Sequence, residues 1–169
     1  MKIKTYLAAI FCVIAGVVLD QYTKLLAVKH LKDAPIPIIK DVFELQYLEN
    51  RGAAFGLFQN QQLFFLITAT VLLILGSILY VKMPFDKRMI PLRVCIVLIA
   101  SGAIGNMIDR IKLNYVVDFL YFKLIDFPIF NVADIFVTVA TFGLGALVLF
   151  YYKEEEIDSF FQLFSKKQK

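Results

Sequence analysis

The chain has 169 residues, enough for one domain and little more. It is 60% apolar and 19% charged, with a mean hydropathy of +0.73, whereas a soluble domain is nearer half apolar and about a quarter charged. That much apolar surface cannot be hidden in a core of this size, so the expected solvent is lipid. The net charge of +4 does not point to nucleic acid, because Lys and Arg cluster between apolar runs and form no basic face interleaved with aromatics.

Four apolar stretches approach the length of about 20 residues that a spanning helix needs. The first, residues 5–19, is uncharged and extends to residue 28 if Asp20 is tolerated. It opens like a secretory signal peptide, yet it ends in Val17-Val18-Leu19-Asp20 without a small-residue cleavage site. Cys12 follows the bulky Phe11, where lipid attachment needs a small residue, so a retained helix is expected. In the following segment Pro35 and Pro37 precede a partly alternating run, residues 41–50, with Phe43, Leu45 and Tyr47 on one side; it predicts strands lying on the outer leaflet. The second stretch, residues 63–81, is closed by Lys82. The third, residues 90–108, is interrupted only by Arg93 and carries Pro91, which suits a first helical turn. Residues 119–130 are mostly aromatic and aliphatic but broken by Lys123, Asp126 and Pro128, a segment predicted to lie along the interface. The fourth stretch, residues 135–152, ends at Lys153, and the charged tail then carries Phe160-Phe161 and Leu163-Phe164, the pattern of a short interfacial helix.

The expected fold is therefore an all-α membrane protein of one domain, residues 1–169, with a small extracytoplasmic β-sheet and an interfacial segment. Its four transmembrane helices fall at about 5–28, 63–82, 90–108 and 134–152. An even number of spans puts both termini on one side. Lys2, Lys4, Lys82, Lys87, Arg88, Arg93, Lys153, Lys166, Lys167 and Lys169 mark that side as cytoplasmic, and the remaining basic residues are spread over longer segments. Residues 29–62 and 109–133 are then extracytoplasmic and 153–169 a cytoplasmic tail.

Elimination narrows the chemistry. The single histidine, His30, has no motif around it, and the two isolated cysteines, Cys12 and Cys95, read as buried bystanders. Neither a zinc ligand set nor a glycine-rich phosphate loop is present, so no metal and no cofactor are expected. What remains is carboxylates at membrane edges: Asp20, Asp109, Asp118, Asp126 and Asp134. An ionisable group in a spanning segment costs about 2.5–3.5 kcal/mol even on a lenient scale, so it persists for function or for pairing. Asp20 and Lys24 are four apart on one helix face, and Asn106, Asp109 and Arg110 share another; local neutralisation by Lys24 and Arg110 explains Asp20 and Asp109 as well as function does. Asp118 and Asp134 have no basic residue within four positions and sit among apolar neighbours. For Asp134 a helix N-cap is the plain alternative, and for Asp118 the start of the interfacial segment.

Five segments then bear on these residues together: Asp20-Gln-Tyr-Thr-Lys24, Asn50-Arg-Gly-Ala-Ala-Phe-Gly56, Gly102-Ala-Ile-Gly-Asn-Met-Ile-Asp-Arg110, Val116-Val-Asp-Phe119 and Phe130-Asn-Val-Ala-Asp134. In this order, with four spans, they resemble the signature blocks of bacterial lipoprotein signal peptidases (signal peptidase II). The match runs from the first helix to the start of the fourth. Departures are small: Ser101 stands where a glycine is common. The resemblance implies an aspartyl endopeptidase of the bacterial cytoplasmic membrane that cuts prolipoproteins just before a cysteine carrying a diacylglyceryl group. It implies Asp118 and Asp134 as the catalytic aspartates, supported by Asp20, Lys24, Asn50, Gly52, Asn106, Asp109, Arg110 and Asn131. Diacylglyceryl-modified prolipoproteins and membrane lipid are the expected partners, and a monomer the expected state.

Two carboxylates about 4 Å apart repel by roughly 4 kcal/mol at an effective dielectric of about 20, so such a pair holds one proton over a wide pH range. Asn106 and Asn131 are expected to hold the aspartates or the peptide backbone, and Arg110 to pair with Asp109 or hold the carbonyl side of the substrate. Gly102 and Gly105 are expected to let the third helix approach a neighbour closely, and Gly52-Ala53-Ala54 to leave room for an extended substrate. Phe55, Phe119, Tyr121 and Phe122 are expected to form an apolar lip for acyl chains. The competing reading is a small proton- or cation-coupled transporter using Asp20, Asp109 and Asp134, although the carboxylates gather at one end and no inverted repeat is evident.

Overall fold

The computed structural model describes residues 2–52 and 57–158. The expectations placed on Ala53, Ala54 and Phe55, and on Phe160, Phe161, Leu163 and Phe164, lie outside the described residues. Among the described residues four helices are long and apolar enough to cross a membrane. They are α1 (Lys2–His30), α2 (Gln62–Lys82), α3 (Ile90–Leu113, approached through a 3₁₀ turn at Lys87–Met89) and α4 (Val132–Ala146, continued by a π turn, Leu147–Tyr151). Pro91 stands in the first turn of α3, where its missing N–H has no helical partner to lose.

The bundle is apolar outward. α2 has no buried residue, and Ile67, Val71, Ile74, Leu75 and Ile78 all project from it. Several hydroxyls in the spans bond within their own helices: Thr68 donates to the Phe64 carbonyl at 2.8 Å, Thr70 to Leu66 at 2.7 Å and Thr141 to Val137 at 2.8 Å. Such bonds spare those hydroxyls from standing unpaired in hydrocarbon. The outward face also holds Cys12, which is exposed, so only Cys95 is the buried bystander expected. An apolar solvent gives a small apolar side chain no drive to turn inward.

Small residues bring the helices together. A Cβ on Gly102 would strike the carbonyl oxygen of Ala133, and one on Gly105 would strike the Asp20 carboxylate. Both glycines thus seat α3 against α4 and α1 at the level of the carboxylates, the close approach expected of them. Arg93 is buried and does not mark a surface. Its guanidinium donates to the carbonyls of Met83 at 2.8 Å and Tyr80 at 3.2 Å, closing the end of α2, and lies 4.5 Å from the centroids of the Tyr80 and Phe85 rings. The carbonyls left open by a helix end explain why a cation is held there. On the same side Arg88 pairs with Glu156 through both carboxylate oxygens, at 2.8 and 2.9 Å, which ties the chain beyond α4 to the start of α3.

At the other end lies a three-stranded antiparallel sheet, β1 (Ile36–Ile39), β2 (Phe43–Asn50) and β3 (Val116–Tyr121), in that order. Pairing sets Leu45 opposite Leu120, Leu48 opposite Asp118 and Asn50 opposite Val116, with a register shift between Leu45 and Leu48. One face rests on the end of α1 in a core of Ala27, Leu31, Val117 and Phe119, with Leu45 and Tyr47 against it. Phe43 packs against Phe122 instead, their ring centroids 5.0 Å apart. Successive residues of a strand point to opposite faces, so burying Val117 and Phe119 on α1 turns Val116 and Asp118 the other way, toward Asn106 of α3 and Asp134 of α4. Residues 122–129 then run as a loop with a 3₁₀ turn, Lys123–Ile125, before Phe130 pairs back to Leu120. Leu124 and Ile125 are each 68% exposed on this loop, an apolar surface outside the bundle.

Gly102→Ala should lower stability in detergent by about 1–3 kcal/mol, because the added methyl meets backbone and the Val137 side chain. A thermal unfolding series on the purified variant checks this, and an unchanged midpoint would show that α3 and α4 can separate without cost.

Candidate active site

Asp118 leaves β3 and Asp134 leaves the first turn of α4, and both line one cavity of about 500 Å³. The start of α4 explains the second position. Asn131 is the N-cap: its Oδ1 accepts the Asp134 backbone N–H at 3.0 Å, and Asp134 Oδ2 accepts the Asn131 N–H at 3.1 Å. This is a reciprocal capping box with Asp134 at its third helical position. Asp134 is thus not the N-cap that its position in the sequence suggested.

Asn131 also reaches the other aspartate. Its Nδ2 donates to Asp118 Oδ1 at 2.6 Å, so one fully buried residue holds both carboxylates. The remaining oxygens are held by further amides. Asn50 Nδ2 donates to Asp118 Oδ2 at 2.8 Å while its Oδ1 accepts the Gly52 N–H at 2.9 Å, and Asn106 Nδ2 donates to Asp134 Oδ1 at 2.8 Å. Every one of these donors is uncharged. Burial pushes the Asp118 carboxyl up to about 7, reinforced by the Asp134 charge and opposed by the amides of Asn50 and Asn131 and by the Lys24 ammonium.

Behind the amides lies a buried charge cluster. Lys24 Nζ donates to Asp20 Oδ2 at 2.9 Å, Asp109 Oδ2 at 2.9 Å and Asn106 Oδ1 at 2.8 Å, matching the three protons of an ammonium. Asp20 Oδ1 also accepts the Ala133 backbone N–H at 3.0 Å, at the start of α4, and Asp109 Oδ2 accepts the Val117 N–H at 3.2 Å, beside Asp118. Asp20 and Asp109 therefore grip the two segments that carry Asp134 and Asp118. Sequence reasoning missed Gln21, whose Nε2 donates to Asp109 Oδ1 at 2.8 Å and to the Gly105 carbonyl at 3.2 Å. An amide next to a membrane carboxylate was the available signal.

Asp109 and Arg110 do not pair. Neighbours on a helix point roughly 100° apart, so Asp109 faces Lys24 while Arg110 turns into the cavity. There its Nη2 lies 3.3 Å from the Gly52 carbonyl and its guanidinium 4.5 Å from the centroid of Phe65. The apolar walls of the cavity also differ from the expected lip. Phe119 is buried against α1, Tyr121 donates to Asp126 at 2.6 Å, and Phe122 stacks on Phe130 at 5.8 Å. The lining comes instead from Phe65 of α2, Phe127, Ile129 and Phe130 of the loop, and Ile135 and Val139 of α4. Asp126 takes part only in that surface turn. Among the described residues no group of three or more His, Cys, Asp and Glu is arranged to hold a metal ion.

Two buried carboxylates, one on a strand and one on a helix, thus meet in a largely apolar cleft of a bundle suited to a bilayer, as an aspartic peptidase set in a membrane would require. Comparison with known proteins agrees. The family model for signal peptidase (SPase) II matches residues 12–151. Lipoprotein signal peptidase of Clostridium tetani is 47% identical over 150 residues, covering 86% of this chain and 93% of that one. Lipoprotein signal peptidase of Caldanaerobacter subterraneus subsp. tengcongensis is 46% identical over 144 residues, covering 84% and 96%. A solved structure of a bacterial membrane enzyme, obtained by the in meso method, superposes with a TM-score of 0.75 at 29% identity over 87% of this chain and 92% of that one. The chain belongs to the signal peptidase II family.

The raised Asp118 carboxyl gives a pH dependence with a defined sign. A carboxyl lifted from 3.8 to about 7 keeps its proton below 7 and loses it above. If the pair works with one shared proton, kcat/KM falls as pH rises through about 7. A pH–rate profile in detergent checks this, and a plateau extending well above that value would contradict it.

Proposed function

We propose that this chain removes signal peptides from prolipoproteins at the membrane, with Asp118 and Asp134 as the catalytic pair. The observation that carries the reading is the Asn131 bridge: one buried asparagine holds both carboxylates of a largely apolar cleft, Asp118 through its side-chain amide and Asp134 through its backbone N–H. Hydrolysis of an amide needs a base for water, an acid for the carbonyl oxygen and a proton for the departing nitrogen. A pair that shares one proton meets all three needs in turn. Neutral amide donors fit this task, because an ammonium or guanidinium bonded directly to either aspartate would favour losing the shared proton. Arg110, which lies in the cleft and ion-pairs with no carboxylate among the described residues, is suited to steady the substrate backbone beside Gly52.

The substrate reading follows from the walls. A peptide next to a diacylglyceryl-modified cysteine carries its anchor in the leaflet, and the cleft is bordered by residues on the outward faces of α2 and α4, Phe65 and Val139 among them. The apolar loop surface at Leu124 and Ile125 would rest in the same leaflet. The basic residues near both termini and in the α2–α3 turn support the reading that those ends face the cytoplasm of a bacterial cell, with the sheet and site on the opposite side of the cytoplasmic membrane. One chain contains the full pair and its supports, so a monomer suffices. A proton-coupled transporter would string its carboxylates across the bilayer; here Asp20, Asp109, Asp118 and Asp134 join one network at one end.

Asp118→Asn and Asp134→Asn should each reduce turnover of a lipid-modified prolipoprotein peptide by about a hundredfold or more. A folded variant that keeps near-normal turnover would remove that residue from catalysis. The same peptide without its lipid should be cut with a much higher KM, and equal rates on both forms would sink the leaflet-anchoring argument.

A further inference from the structure

The two aspartates are not equivalent, and we infer that the shared proton resides on Asp118, leaving Asp134 as the ionised member that accepts the proton of the attacking water. This rests on the reading of the two residues as the catalytic pair and assigns the role of each. The asymmetry lies in what stands behind each carboxylate. Both take two hydrogen bonds, but the donors to Asp118 are side-chain amides, those of Asn50 and Asn131. Asp134 takes one bond from a backbone N–H at the start of α4, where the unpaired amides and the helix dipole favour negative charge.

Its second donor leads to a cation. Asn106 cannot turn over, because its Oδ1 accepts from both Lys24 at 2.8 Å and Asn131 at 3.1 Å, which leaves Nδ2 to face Asp134. The Lys24 ammonium therefore polarises the amide that binds Asp134, one side chain away. No comparable relay reaches Asp118 through Asn50, whose Oδ1 is taken by the Gly52 N–H. The other charged groups around the pair are Asp20 and Asp109, which share the one Lys24 ammonium and so leave a net negative charge behind Asn106, and Arg110, which lines the same cleft as both carboxylates. The negative charge of Asp20, part of which is taken up by the Ala133 N–H, works against the assignment, and the amide held by Lys24 and the helix start work for it.

The steps then balance. Asp134 takes a proton from water as its oxygen bonds to the scissile carbonyl carbon, and Asp118 gives its proton to the carbonyl oxygen, forming a gem-diol. Asp134 next passes its proton to the nitrogen as the C–N bond breaks, and Asp118 recovers a proton from one hydroxyl as the new carboxylic acid forms. Each aspartate ends as it began.

Chemical labelling of the full wild-type chain in lipid nanodiscs separates the two roles. An aryloxymethyl epoxide is opened by an ionised carboxylate, whereas a diazoacetyl ester is consumed by a protonated one. At a pH below 7, peptide mapping should find about tenfold more epoxide adduct on Asp134 than on Asp118, and diazo adduct on Asp118. Reversed labels, or epoxide adduct divided evenly, would overturn the assignment. The underlying reading fails differently: an adduct on either aspartate that leaves turnover intact removes that residue from catalysis, whereas reversed labels with turnover abolished keep the pair and exchange its roles.

Discussion

The elements at the sheet end of this molecule are arranged around a buried ammonium. Lys24 is 3% exposed, and its three protons go to Asp20, Asp109 and Asn106. Such a group is stable in a bilayer only if it is matched in charge and bonded in full, because an unmatched ion in low dielectric costs several kcal/mol. That requirement brings α1 to α3, and the carboxylates that meet it have oxygens left for the backbone of the next elements. Asp20 takes the N–H of Ala133 and Asp109 that of Val117. The segments carrying Asp134 and Asp118 are thus placed by the same residues that neutralise the lysine.

The neutral layer in front of that cluster divides the site by charge. Asn50, Asn106 and Asn131 bind the two aspartates without giving either a formal counter-ion, while full charges are kept one side chain further back. An amide has both a donor and an acceptor, and each of these three has its orientation set by what its oxygen receives. Burial is the other half of the design. A half-wet pair of carboxylates would simply ionise, whereas here Asp118 is 1% exposed and its neighbours in β3 are buried with it.

Much of this was legible in the sequence, for identifiable reasons. Spans can be read because every backbone group in lipid must be satisfied within its own helix, which demands long uncharged runs. The Asp20–Lys24 pair can be read because residues four apart share a helix face. Asp109 and Arg110 misled for the same geometric reason, since adjacent helical residues diverge. Asp134 looked like a cap because it opens an apolar run, but the true cap, Asn131, is distinguished only by a reciprocal bond with the residue three positions on. Phe119 looked like part of a lip because its strand had no visible period; its burial follows from where α1 ends, a long-range fact. The association of Asp118 with Asp134 was likewise beyond local physics, and resemblance to a family supplied it.

One helix stands apart in this scheme. α2 has no buried residue, packs chiefly on α3, and is closed by Arg93 at one end and approached by Arg110 over Phe65 at the other. The polar network that joins α1, β2, α3, β3 and α4 does not include it. The space between the outward faces of α2 and α4 is therefore bounded on its open side by whatever surrounds the protein. In a membrane that boundary is hydrocarbon, so the solvent itself completes the cleft. Detergent exchanges that boundary for another, and acyl-chain length and order become parameters of the site as much as of its surroundings.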